Sequence, residues 1–309
     1  MVLFLSGGTG TPKLIQGANE VLNQDEISVI VNVAENLWLS HGYLAPDVDT
    51  VVYALAGIVN GEVWHGIKGD TFYAHESLKK LNAGEFLKIG DKDRAVHIWR
   101  GELLKQGLTL EEITKKQCEF FGVSSNVIPA TNDKIETIIT INEHKKEKEV
   151  NLHEFLVKYN KNSVNDIKFR GMESASACKK AVERIEKEDR IIIGPSNCIT
   201  SISPIIFIKE IGRVLRKNKE KVVAISPIER AKPFSGPLAN FMKAKGMESS
   251  IFGVASLYQD FVSKFIVGES EREQEIKRVE KLGIEVIRTN IAMPNLERRK
   301  ELAELVLNL

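Results

Sequence analysis

Three glycines, a threonine-proline pair and a lysine crowd the start of this chain, in the run Ser6-Gly7-Gly8-Thr9-Gly10-Thr11-Pro12-Lys13. Such a turn aims backbone amides at an anion. Gly7, Gly8 and Gly10 can take positive φ and let the main chain approach a ligand with no Cβ in the way. Thr11 suits a helix cap and Pro12 the first helical position. The free amides of that first turn and the helix dipole favour an anion by about 0.3 to 2 kcal/mol, and Lys13 adds a full charge. The third glycine of G-x-G-x-x-G falls at Lys13, and no Gly-Lys-Ser/Thr follows, so the motif is a phosphate-loop variant. The alternative is a tight turn without a ligand.

Carboxylates come next. In Pro46-Asp47-Val48-Asp49-Thr50, Asp47 and Asp49 can offer two oxygen ligands to a hard cation such as Mg²⁺, although Asp49 alone could equally be a helix cap. Gly90-Asp91-Lys92-Asp93-Arg94, following Lys88, is a second charged glycine turn; surface ion pairs would look the same. Gly194-Pro195-Ser196-Asn197 carries a hydroxyl and an amide able to hold a base or phosphate, or else is a plain β-turn. Pro233-Phe234-Ser235-Gly236-Pro237 is a rigid loop with one hydroxyl. His41, His65, His75, His97, His144 and His153 show no paired zinc spacing, and no G-x-S-x-G elbow exists. Trp38, Trp64 and Trp99 could stack a flat ligand or pack the core.

These residues need a scaffold. Leu3-Phe4-Leu5 reads as a buried strand, Leu14, Ile15, Ala18, Val21 and Leu22 as one helical face, and Ile27 to Val33 as a second strand. Apolar runs recur at Arg190 to Ile193, Val222 to Ile225, Phe265 to Val267 and Glu285 to Ile287, with helical faces between them. Val51 to Val59 reads as a helix, and Leu302, Leu305, Val306 and Leu309 as a closing one. Continuous apolar strands alternating with helices predict an α/β fold, a Rossmann-like, doubly wound, mostly parallel sheet, in one domain over residues 1–309. Residues 135–172 depart from the rhythm and read as an inserted hairpin subdomain, with the charged run Glu143 to Glu149 as its solvated turn. Ligands of such sheets sit beyond the carboxyl ends of the strands.

Composition narrows the class. Forty-three basic and forty-two acidic residues among 309 leave a net charge of +1, which gives no general drive toward nucleic acid or anionic membrane. Cys118, Cys178 and Cys198 lack C-x-x-C spacing, so reduced thiols and a cytoplasmic setting are expected. No apolar run approaches the roughly 18 residues of a spanning helix and no signal segment is evident, which predicts no membrane association.

Taken together and in order, Ser6 to Leu14, Pro46 to Thr50, Gly90 to Arg94, Gly194 to Asn197, Ser235 to Pro237 and the segments Gly253-Val254-Ala255 and Tyr258-Gln259-Asp260 resemble the 2-phospho-L-lactate transferase (CofD) family over nearly the whole chain. That resemblance implies a Mg²⁺-dependent, typically homodimeric transferase of coenzyme F-420 biosynthesis. It would move a phospholactyl group from lactyl-2-diphospho-5'-guanosine onto the deazaflavin Fo, with GMP leaving. It further implies that Asp49 and Lys88 contact Fo and that Gly7, Gly8, Thr9 and Gly10 cradle the diphosphate. Lys13, Ser196 and Asn197 are assigned beside that cradle, Asp47 and Asp49 to the metal, and Asp49 to orienting or deprotonating the acceptor hydroxyl. Asn36 stands where the family pattern has Asp, and Ala45 where it has Ser. A nucleotide-sugar-binding regulator of the gluconeogenesis-factor branch is the alternative, disfavoured because Asn32-Val33-Ala34-Glu35-Asn36-Leu37-Trp38 lacks that branch's Asp-x-Gly-Gly-Ser-x-Gly loop. A dinucleotide-dependent dehydrogenase is weaker still, lacking the third glycine.

Overall fold

The computed structural model describes all residues from 1 to 309 except His41, Lys145 and Ser235, so the hydroxyl of the 233–237 loop lies outside the described residues. Seven strands form one parallel sheet: β1 (Val2–Ser6), β2 (Ile27–Val31), β3 (Asn126–Pro129), β4 (Arg190–Ile193), β5 (Val222–Ile225), β6 (Lys264–Gly268) and β7 (Glu285–Thr289). Their spatial order is β7-β6-β5-β4-β1-β2-β3. The chain winds outward from β1 through β2 to β3, returns to lay β4 against the other side of β1, and winds outward again. The reversal opens a crevice above the carboxyl ends of β1 and β4, where Leu5 is registered with Ile193.

Both faces of the sheet are buried, which is why its strands lack an apolar-polar alternation. Leu3, Leu5, Ile191 and Ile193 join one core; Val2, Phe4 and Ile192 join the other. Onto the second face pack α1 (Gly10–Ala18), α2 (Pro46–Leu55) and the C-terminal helix Leu296–Leu307. Leu14 and Ile15 of α1 are fully buried there, each worth about 1.5 to 3 kcal/mol. Among the described residues no helix is long and apolar enough to cross a membrane.

Three expectations shift. The second strand stops at Val31, because the Asn32 side chain accepts the Ala34 amide at 3.0 Å and turns the chain. The helix expected at Val51 to Val59 begins at Pro46 and ends at Leu55, closed by Gly57 at φ 71°; Asp47 and Asp49 therefore both lie in its first turn. Within residues 135–172 the strand Glu136–Glu143 pairs antiparallel with Lys146–Asn151 and with Val164–Arg170. Most of the charged run is thus strand, and Glu149 pairs across the sheet with Lys168 and Arg170.

Candidate functional site

The glycine turn leaves β1 at the crevice. Of its three glycines only Gly8 takes positive φ, at 58°. Gly10 serves close approach instead: a Cβ there would lie 2.2 Å from the Pro195 carbonyl oxygen. Thr11 is not the cap, since α1 already starts at Gly10. Its amide donates 2.9 Å to Ser196 Oγ, and the two hydroxyls lie 2.7 Å apart. Ser196 thereby satisfies a helix-terminal donor from another strand's loop. Asn197 is similarly committed, its Oδ1 accepting the amides of Ile199 and Thr200 at 3.0 and 3.1 Å.

Asp47 closes the turn from the other side. Its Oδ1 accepts the Gly8 amide at 2.8 Å and its Oδ2 accepts Asn32 Nδ2 at 2.8 Å. Burial pushes its carboxyl up to about 6 against those two hydrogen bonds. Glu35, from the loop after β2, is pushed well above its ordinary value by burial and by the Asp47 charge. Both carboxyls line one cleft of about 640 Å³.

Asp49, two residues along the same first turn of α2, sits in a different setting. Arg100, fully buried on the helix α3 (Asp91–Lys105), donates through both terminal nitrogens to both carboxylate oxygens, with Nη1 at 3.1 Å from Oδ2. Gln117 on α4 (Leu110–Phe120) adds Nε2 at 2.7 Å from Oδ1, and His97 Nε2 lies 3.3 Å from Oδ2 and equally far from Asp93 Oδ1. Burial alone would raise Asp49, but the Arg100 charge and the His97 and Arg100 hydrogen bonds bring it down to about 2. A carboxylate this acidic accepts a hydrogen bond but does not take up a proton near neutrality. Burial works against charge on His97, yet Asp49 and Asp93 hold its value above the ordinary 6.5.

Asp49, Asp93 and His97 bring ligand atoms within 4.8 Å of one another, a possible metal-binding triad. Arg100 already neutralises that triad, and the raised His97 favours a proton over a metal. Asp47 and Glu35 fit a hard cation better. They are oxygen donors without an arginine partner among the described residues, and their raised values are what bound positive charge would relieve.

The cleft gathers Gly8, Thr9, Gly10, Asp47, Asp49, Lys88 and Asn197. Gly7, Lys13 and Ser196 do not line it. Gly7 packs beneath the turn on Ser201, and Lys13 lays its ammonium 5.4 Å from the centre of the Trp64 ring. The charged turn at 90–94 starts α3: Asp91 accepts the amides of Tyr73 and Ala74, while Asp70 accepts those of Lys92 and Asp93. This fixes Asp93 at the cleft wall, which Lys88 also lines with its ammonium 4.2 Å from the centre of the Phe72 ring. Trp64 lines the cleft too, whereas Trp38 and Trp99 are exposed. Sequence reasoning missed Arg100, His97, Gln117 and the partnership of Asn32 with Asp47. Asp93, His97 and Arg100, spaced as one helix face, were the available signal.

A family profile described as "2-phospho-L-lactate transferase CofD" matches residues 2–299. Proteins named 2-phospho-L-lactate transferase are similar along the whole chain. That of Methanococcoides burtonii is 39% identical (100% of this chain, 99% of the relative), that of Methanosarcina mazei 41% (99% and 99%) and that of Methanothermobacter thermautotrophicus 42% (99% and 97%). Among solved structures, a UPF0052 family member from Bacillus halodurans shares the fold at 16% identity, with a TM-score of 0.67 over 99% of this chain and 98% of that one.

Proposed function

The chain belongs to the 2-phospho-L-lactate transferase CofD family, and from that premise we propose that it transfers the phospholactyl group of lactyl-2-diphospho-5'-guanosine to Fo, forming coenzyme F-420-0 and releasing GMP. The observation that carries this reading is that one cleft joins the glycine turn to Asp49 and Lys88, the pair expected to meet the acceptor. The diphosphate lies against Gly8, Thr9 and Gly10 at the positive end of α1. Phe86, Leu87, Leu152, Leu156, Val157 and Phe241 give the same cleft an apolar surface suited to a flat deazaflavin.

In the reaction the acceptor hydroxyl oxygen bonds to the phospholactyl phosphorus as the bond from that phosphorus to the GMP oxygen breaks, and the hydroxyl proton is released. Asp49, both oxygens already held by Arg100, Gln117 and His97, sets a fixed negative charge beside that hydroxyl that orients it; its acidity suits orientation, not proton abstraction. A loose phosphoryl transition state needs positioning and charge neutralisation more than a strong base. Glu35, Asp47, Asp49 and Asp93 line the cleft, and Lys88 is its only lysine or arginine lining residue among the described residues. A polyanionic donor entering that field calls for a cation, which Asp47 and Glu35 would hold. Magnesium so bound supplies charge neutralisation on the phosphate oxygens.

A homodimer in the cytoplasm accompanies this reading and is open to sedimentation. The test of function is turnover of Fo with the lactyl donor, with and without EDTA, beside a GDP titration on the same preparation. GMP release that stops with EDTA while GDP still binds is expected; release undiminished in metal-free buffer removes the metal from the proposal.

A further inference from the structure

Lys13, expected at the diphosphate, takes part in a different cluster. Its ammonium and the Arg299 guanidinium both lie against Trp64, at 5.4 and 4.5 Å from the ring centre. Neither cation has a carboxylate partner among the described residues. Both are half-buried, and burial lowers both from their ordinary values, the Arg299 charge lowering Lys13 further. Arg299 is held in place by Gln16 Oε1 at 2.7 Å and, more loosely, by the carbonyls of Met293 and Pro294 at 3.4 Å each. That uses three of its five N–H groups.

Arg299 borders a cavity of about 540 Å³ lined also by Gln16, Asn60, Trp64, Lys68 and Phe72 among others, while Lys13 lies behind that lining against the Trp64 ring. Among the described residues, Trp64 is the one that lines both this cavity and the reactive cleft. It sits at φ 60°, a conformation that costs a non-glycine residue energy and that the surrounding packing must hold. Two carboxylates also border the cavity. Asp70 accepts the amides of Thr71, Lys92 and Asp93, where the N-terminal end of α3 offsets part of its charge, and Glu62 is exposed. Arg299 and Lys68 thus face a space of small-ligand size beside an aromatic wall, and with Lys13 on the same ring the three cations exceed the two carboxylates by one charge.

We propose that this second cavity binds a phosphate-bearing small molecule, with Arg299 as its direct hydrogen-bonding ligand, Lys68 as a flanking charge and Lys13, against the shared Trp64 ring, as a more distant one. The two free guanidinium N–H groups of Arg299 with the Lys68 ammonium match a phosphate dianion better than a single carboxylate. The site is distinct from the glycine turn. Because the strained Trp64 is common to both spaces, occupancy here bears on the wall of the reactive cleft.

The test titrates inorganic phosphate, and separately L-lactate as a carboxylate-only probe, into protein saturated with GDP, following heat and tryptophan emission. Wild type should bind one phosphate saturably, at about millimolar or tighter, with a change in emission and little response to lactate. Arg299→Gln should weaken phosphate at least about tenfold and Lys68→Gln several-fold, with GDP affinity unchanged in both. Lys68 is exposed, so its variant guards against a folding defect at Arg299. Absence of saturable phosphate binding to GDP-loaded wild type overturns the proposal, as does equal affinity in Arg299→Gln. Lactate competing as well as phosphate would overturn the ligand class. Failure of GDP itself to bind would count against the glycine-turn reading only, and wild type against Arg299→Gln in GDP-free buffer then decides this one.

Discussion

Replacing Arg100 by glutamine strips the buried Asp49 carboxylate of its guanidinium partner, the only full positive charge fixed to both its oxygens among the described residues. The substitution also removes donors to the Tyr43 carbonyl at 2.8 Å and Gln117 Oε1 at 2.9 Å. Breaking a buried pair by removing one partner costs about 3 to 5 kcal/mol. The pH dependence identifies the cause. In the wild type, Asp49 falls from 3.8 to about 2, a contribution of about 2 kcal/mol at 1.36 kcal/mol per unit. The sign follows from the depressed value: this stability is present above 3.8 and lost as pH falls through 2. In the variant, burial dominates and lifts Asp49, so the folded state keeps its proton where the unfolded chain has lost it. Stability of the variant then declines as pH rises from 4 toward 7, by about 1.4 kcal/mol for each unit of upward shift. Chemical denaturation at pH 4 and pH 7 should show a deficit of about 3 to 5 kcal/mol at pH 7, smaller by at least about 1 kcal/mol at pH 4. Asp49→Asn in the same chain should recover more than half of it. A deficit equal at both pH values, or below about 1 kcal/mol at pH 7, would refute the reasoning.

Other consequences follow from the same geometry. Gly10→Ala puts a Cβ 2.2 Å from the Pro195 carbonyl oxygen, so calorimetry should find GDP affinity lost; wild-type affinity would remove that turn from the nucleotide site. Lys88→Ala should lower kcat/KM for Fo by on the order of 10² while GDP titrates normally, because Lys88 lines the cleft in a segment separate from the glycine turn. A change confined to GDP affinity would reverse that assignment. His97, raised above 6.5 by Asp49 and Asp93, contributes stability that is full below 6.5 and lost as pH rises through its folded value. The stability gap between wild type and His97→Gln should therefore narrow from pH 6 to pH 9, and a widening gap would contradict the ion-pair description.

The sheet was legible because β1, β4 and β5 are apolar on both faces, so each announces itself as an uninterrupted run. The glycine turn was legible as a turn but not in detail. With α1 starting at Gly10, Lys13 falls two residues deeper in the helix than expected and lies against Trp64, not at the ligand side. The capping of Thr11 by Ser196 joins residues 185 apart, which no local pattern encodes. The environment of Asp49 was hidden for the same reason: Arg100 and Gln117 lie 51 and 68 positions away. A lone aspartate in a helix's first turn reads as cap, base or metal ligand until such partners are seen.

The most direct measurement is mass spectrometry of the product formed from Fo and lactyl-2-diphospho-5'-guanosine with Mg²⁺ and this protein. The proposed transferase yields Fo enlarged by one phospholactyl group, with one GMP released per product. Unconsumed Fo with no GMP, or GMP released by hydrolysis without the enlarged product, would contradict it.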